Sequence, residues 1–94
     1  MNIIGKQKIA KFQKKHSDSR RPINNWLNIL ENSNFKNSVE LKNSFPSVNC
    51  IGNDRYIFDI KGNHYRAVCI VFFIDNEIII EEILTHAEYD KKNY

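Results

Sequence analysis

The sequence predicts an α+β domain in which two N-terminal helices pack on a small, mainly antiparallel sheet. Three observations carry that prediction. Ile23, Trp26, Leu27 and Leu30 repeat at i, i+3, i+4 and i+7, the period of one helix face. Beyond Pro46 the period changes to two. Tyr56, Phe58 and Ile60 share one side of a first run, and Tyr65, Ala67, Cys69, Val71 and Phe73 share one side of the next. The runs are joined by short polar turns, Lys61-Gly62-Asn63 and Asp75-Asn76, too short for a parallel crossover, so they pair antiparallel. Helices followed by a meander make one α+β unit, and 94 residues make a single domain, 1–94.

Taken in order, Asn2-Ile3-Ile4 reads as a short first strand. From Lys6 onward, Ile9, Ala10 and Phe12 among lysines predict a basic amphipathic helix. His16-Ser17-Asp18-Ser19 breaks it. Asp18 or Ser19 is placed to cap a second helix, with Pro22 in a first turn whose backbone N–H groups have no partner to lose. Asn32-Ser33-Asn34 ends that helix. Ser38-Val39-Glu40-Leu41-Lys42 predicts one helical turn, stopped before Pro46 and acting as a lid on the core. Strands are expected from Arg55 to Ile60, from His64 to Phe73 and from Glu77 to Leu84. The second becomes apolar on both faces toward its end, as a central, doubly covered strand does. Gly62 suits the turn before it because glycine accepts positive φ without steric cost.

Hydrophobic residues make up 41% and charged residues 27%, the balance of a soluble globular protein. No apolar run approaches the ~20 residues of a membrane helix, and the apolar stretch after Met1 is too short for a signal peptide. A cytoplasmic protein without a membrane partner is expected. Cys50 and Cys69 show no Cys-x-x-Cys spacing, and with His64 and His86 they include no short-spaced chelating pair. Reduced, structural cysteines and no metal or cofactor are expected.

The net charge of +3 is unevenly placed. Residues 1–21 hold seven basic side chains (Lys6, Lys8, Lys11, Lys14, Lys15, Arg20 and Arg21) against the single acid Asp18, a net of +6, so the remainder of the chain carries −3. Such a segment either steers the protein toward a polyanion or is a solvated lysine face.

The residues equipped for chemistry follow the last strand. Thr85-His86-Ala87-Glu88 has the spacing of a capping box, in which Thr85 and Glu88 satisfy each other's backbone at a helix start. If Thr85 caps, then His86, Tyr89 and Asp90 share one helix face, three and four residues apart. Asp90 can then hold the imidazole, Tyr89 offers a hydroxyl or a stacking plane, and the helix start favours an anion. Arg66 is the other outlier, a charge inside an apolar strand. It is either a partner of Asp59, Glu81 or Glu82, or a clamp for phosphate oxygens, which the guanidinium fork fits. No Gly-rich phosphate loop, Gly-x-Ser-x-Gly elbow or His-Glu-x-x-His pair is present.

Three segments, in this order and spacing, resemble the HigB toxin family of the RelE-like superfamily: Phe45-Pro46-Ser47, Phe58-Asp59-Ile60-Lys61-Gly62-Asn63-His64-Tyr65-Arg66, and Thr85-His86-Ala87-Glu88-Tyr89-Asp90-Lys91. The resemblance runs from the Trp26 helix to Lys91. It implies a RelE-like fold and a bacterial type II toxin that cuts mRNA on the ribosome without metal. It also implies a cognate antitoxin carrying a helix-turn-helix domain, and hence a toxin–antitoxin hetero-oligomer. Two departures stand out: His64 where many relatives have Lys, and Glu81 where many have Arg or Lys.

The implied reaction is attack of a ribose 2′-OH on the adjacent phosphate, with Arg66, His86, Tyr89 and Lys91 as the expected catalytic residues. Imidazole titrates nearest neutrality among ordinary side chains, which makes His86 the best acid or base. A phenol or an ammonium, as in Tyr89 and Lys91, needs a strong shift to serve as a base there. Arg66 never loses its proton and is assigned to charge stabilisation. Tyr89 is also a candidate stacking platform for a displaced base. Arg55, Lys61, His64 and Lys92, with Lys8, Lys11 and Lys15, are the expected RNA-binding residues. The alternative is a non-catalytic RNA- or protein-binding module on the same fold, with Glu81 as the mark of lost activity.

Overall fold

The computed structural model describes residues 1–94. β1 (Asn2–Ile4) leads through Gly5 into α1 (Lys6–Lys15). Gly5 stands at φ 100°, and a Cβ there would lie 2.9 Å from the carbonyl oxygen of Ile80. Only glycine allows this turn at this closeness to the sheet. A single 3-10 turn, Ser17–Ser19, precedes α2 (Arg20–Glu31). α3 (Ser38–Ser44) follows, capped by the Asn37 side chain on the Glu40 N–H. β2 (Asn49–Cys50), β3 (Arg55–Ile60), β4 (Tyr65–Phe72), β5 (Glu77–Thr85) and α4 (His86–Asp90) complete the chain.

The five strands form one sheet in the order β1-β5-β4-β3-β2, with β1 parallel to β5 and every other pair antiparallel. Three helices supply the cover of one face. Ile9 and Phe12 of α1, Ile23, Trp26 and Leu30 of α2 and Leu41 of α3 bury against Phe58, Ala67, Cys69, Val71, Ile78 and Ile80. Phe58 is met edge-on by Trp26 at 5.3 Å and by Phe45 at 5.2 Å, the arrangement the ring quadrupoles favour. The opposite face has only a small apolar patch, Ile57, Val68 and Leu84, with Ile51 and Tyr89 at its margin. That thinly covered face carries the polar residues described below.

The helical stripe is core as its period predicts, and α3 lies over the core through Leu41, which is fully buried. Trp26 is buried and its indole N–H has no partner, so what it contributes is packing. Trp26→Ala is expected to lose about 3–5 kcal/mol, the range for truncating a buried aromatic. Denaturant unfolding measures it, and a parental midpoint would place Trp26 outside the core.

Two local readings are corrected, the cap of α2 and the bounds of β4 and its following turn, and the sheet adds an edge strand and a bulge. Neither Asp18 nor Ser19 makes a side-chain cap on α2; the Ser19 hydroxyl donates back to the His16 carbonyl. The two-residue edge strand β2 was not foreseen. β4 begins at Tyr65 and not His64, and the link to β5 spans Phe73 to Asn76, with Asn76 at φ 55°. The strand pairing of β4 and β5 is broken at Val68/Cys69 by a bulge.

Asp18 is drawn away from the helix by long-range partners. It accepts from the Tyr65 hydroxyl at 2.6 Å and from the Lys61 ammonium at 2.7 Å. The Lys61 and then the Tyr65 hydrogen bond hold its carboxyl down to about 2, and the same contact pushes the Tyr65 phenol up to about 12. A carboxyl depressed from 3.8 stabilises the fold above that value and loses the contribution as pH falls toward 2. A phenol raised from 10.0 stabilises below that value and loses it as pH rises toward 12. Asp18→Ala is therefore expected to flatten the pH dependence of Tm in both windows, as thermal melts across them would show. A variant with wild-type slopes would mean that Asp18 and Tyr65 do not pair in solution.

Candidate active site

Strand register and one helix cap assemble the site on the thinly covered face. Asp59, Arg66 and Leu84 lie opposite one another across β3, β4 and β5. At the end of β5 the Thr85 hydroxyl accepts from the Glu88 N–H at 3.1 Å, and the Glu88 carboxylate accepts from the Thr85 N–H at 2.9 Å. The Thr85 backbone bond holds the Glu88 carboxyl below its usual range. The His86 N–H donates to the His64 carbonyl at 2.9 Å. α4 is thus fixed to the β3–β4 turn as well as capped, and His86 is aimed at Arg66. These bonds also occupy the His86 and Glu88 amide donors at the start of α4.

Arg66 is the centre of the cluster, with a side chain only 13% exposed. Its guanidinium meets the Asp59 carboxylate at 3.2 Å, donates to the Asn63 carbonyl at 2.9 Å, and reaches His86 Nδ1 at 3.1 Å. The Tyr89 ring lies against it, 5.5 Å from Cζ to centroid. Guanidinium has no lone pair to offer, so His86 Nδ1 is the acceptor in that contact. The ring proton then resides on Nε2, which faces the Asp90 carboxylate at 3.2 Å. An arginine, an imidazole with a fixed tautomer and an orienting carboxylate thus stand in one line.

The bulge has a chemical consequence. It leaves Glu81 unpaired between Glu82, opposite Val68, and Ile80, opposite Cys69. An extra residue in a strand lets two neighbours project to one side. Glu81 and Glu82 both make their contacts on the face that carries Arg66. Arg55 grips Glu81 with two bonds, at 2.6 and 3.0 Å, and that fork lowers the Glu81 pKa and raises its own. Glu82 takes the Lys92 ammonium at 3.1 Å and the Tyr94 hydroxyl. Tyr94 in turn stacks on Tyr89, with centroids 6.0 Å apart and planes 14° from parallel, while the Arg55 guanidinium lies 5.4 Å from its centroid.

Of the expected catalytic residues, Arg66, His86 and Tyr89 come together. Lys91 does not join them: its backbone caps α4 and its exposed ammonium has no partner. The expected RNA-binding residues divide. Arg55 and Lys92 edge this face in ion pairs, Lys61 is paired with Asp18, and the exposed His64 ring turns its Nδ1 to the Lys61 carbonyl at 2.8 Å. Lys8, Lys11 and Lys15 lie with His16, Phe12, Ile83, Glu82 and Glu88 around a groove of about 280 Å³ between α1 and β5. There the Lys8 ammonium also donates to the Glu81 carbonyl at 2.9 Å. Sequence reasoning missed Tyr94 and named Glu82 only as a possible partner of Arg66. The adjacent carboxylates Glu81-Glu82 in an apolar strand were the one visible sign of a broken alternation. Nowhere do three His, Cys, Asp or Glu side chains converge as a metal would require, and Cys50 and Cys69 are unpaired. No helix is long and apolar enough to cross a membrane.

Residues 19–92 match the family HigB_toxin, described as the RelE-like toxic component of a toxin-antitoxin system. The chain is 25% identical over 93 residues to the mRNA interferase HigB of Escherichia coli O6:H1, covering 97% of this chain and 90% of that protein. It is 29% identical over 92 residues to the mRNA interferase toxin HigB of Escherichia coli K12, covering 96% and 88%. The mRNA interferase HigB of Shigella flexneri gives the same figures, 29% over 92 residues.

Proposed function

Because the chain belongs to the HigB toxin family, the RelE-like toxic components of toxin–antitoxin systems, we propose that it is an endoribonuclease that cuts mRNA on the ribosome by 2′-OH attack. The observation that carries this reading is the 3.1 Å contact between the Arg66 guanidinium and an imidazole whose other nitrogen faces Asp90. In-line attack at phosphorus builds negative charge on non-bridging oxygens and moves one proton off the 2′-OH and one onto the 5′ oxygen. Arg66 meets the charge. A phosphate taking Arg66's outer donors frees His86 Nδ1 for proton transfer, with Asp90 fixing the tautomer. Tyr89 and Lys91 share the remaining work, Tyr89 as stacking plane or second proton carrier and Lys91 as a cation at the rim. The mechanism asks for no metal, since the guanidinium supplies the positive charge.

Lys8, Lys11, Lys15 and His64 would extend the RNA path, with Arg55, Lys61 and Lys92 exchanging an ion pair for a phosphate. The proposed setting is the cytoplasm, where ribosomes and a helix-turn-helix antitoxin are at hand and a toxin–antitoxin hetero-oligomer forms on a RelE-like fold. Glu81 is paired with Arg55 in the free protein, so it sets no unmatched negative charge on this face before RNA arrives. Induced expression with growth curves and mapping of mRNA 5′ ends tests the reading. Arrested growth with new ends inside translated codons is expected. Normal growth with an unchanged end map, the protein being folded and abundant, would contradict it.

A further inference from the structure

The stack on Tyr89 deepens the RNA reading, on which it rests. Arg66, Tyr89, Tyr94 and Arg55 follow one another in contact, at 5.5, 6.0 and 5.4 Å. Tyr89 therefore already has a neighbour on either side, and a nucleobase can stack on it only by taking the place of Tyr94. That place has three features: the Tyr89 plane on one side, the Arg55 cation on the other, and the Glu82 carboxylate at the edge, accepting from the Tyr94 hydroxyl. A flat ring with an edge donor is what such a slot holds.

We propose that the slot between Tyr89 and Arg55 is a nucleobase site, that Tyr94 is its resident occupant in the free protein, and that Glu82 selects guanine. Guanine presents two parallel donors, N1–H and the 2-amino group, to the two oxygens of a carboxylate. Adenine and cytosine present one amino group each. Uracil sets its single N–H between two carbonyls that a carboxylate repels. Tyr94 is held only by the stack, the cation and one hydroxyl bond and is 43% exposed, so it can leave without disturbing the core. Lys92, paired with Glu82, moves with it.

The test uses the full chain and fluorescent 2′-O-methyl hexamers, which cannot be cut: all-uridine, and uridine with one central guanosine. The wild type is expected to bind the guanosine hexamer about tenfold more tightly, the order of one bidentate base contact. Glu82→Gln should abolish the difference. Tyr94→Ala should tighten binding of both hexamers about tenfold, since the stack and its hydroxyl bond no longer compete. With 3-fluorotyrosine in the chain, the Tyr94 fluorine signal should move to the position of an exposed ring as the guanosine hexamer is added. Equal binding of the two hexamers, or unchanged or weaker binding by Tyr94→Ala, overturns the slot while leaving the RNA reading intact. No binding by any form overturns the slot, and the mapping of mRNA 5′ ends then decides the RNA reading on its own.

Discussion

His86→Gln is expected to slow cleavage about 10²- to 10⁴-fold, the usual loss when a positioned proton carrier is removed, without unfolding the protein. The glutamine amide keeps the size and polarity of the imidazole beside Arg66 but cannot carry a proton at neutral pH. The cap of α4 does not depend on the side chain, because Thr85 and Glu88 bond each other and the His86 N–H is a backbone donor to His64. Rates on programmed ribosomes, with circular dichroism on the same preparation, check this. Full activity in a folded variant would remove His86 from the reaction.

Arg66→Ala is expected to lower the rate about 10²- to 10³-fold, by analogy with the loss of a donor to a developing oxyanion, and also to lower stability. The guanidinium serves Asp59, the Asn63 carbonyl, His86 and the Tyr89 ring at once. Its removal leaves a partly buried carboxylate without its counter-charge. Arg66→Lys should recover stability more than activity, since an ammonium meets Asp59 but has no planar fork to span His86 and a phosphate. Unfolding curves read against single-turnover rates separate the two losses. A lysine variant as fast as wild type would show that charge alone is needed there.

Much of this site was legible because its rules are local. Thr85 and Glu88 are three apart, and that spacing alone sets His86, Tyr89 and Asp90 on one short helix. Arg66 stood out as a charge in an apolar strand, and Asp59 was among its possible partners. What was hidden depends on distance in sequence or on irregularity. Asp18 had the residue type of a cap, but Tyr65, 47 residues away, and Lys61 took its carboxylate. Strict alternation sets Glu81 and Glu82 on opposite faces, and only the bulge at Val68/Cys69 brings both to the site. The two residues of β2 are too few to show a period, and their strand exists because the β3 edge accepts them. Tyr94 belongs to the end of the chain, where no period announces a stack on Tyr89. The lysines of α1 were legible as charge but not as position: their groove lies between α1 and β5, apart from Arg66.

A 2′,3′-cyclic phosphate on the cut RNA is the mark of a 2′-OH mechanism run by Arg66 and His86, because attack by water cannot form one. Purified protein on programmed ribosomes, with the fragments analysed for end groups, should give a free 5′-hydroxyl and a 2′,3′-cyclic phosphate or its hydrolysis product, and neither from the Arg66→Ala, His86→Gln double variant. A 5′-phosphate, or full cleavage by the folded double variant, would contradict it.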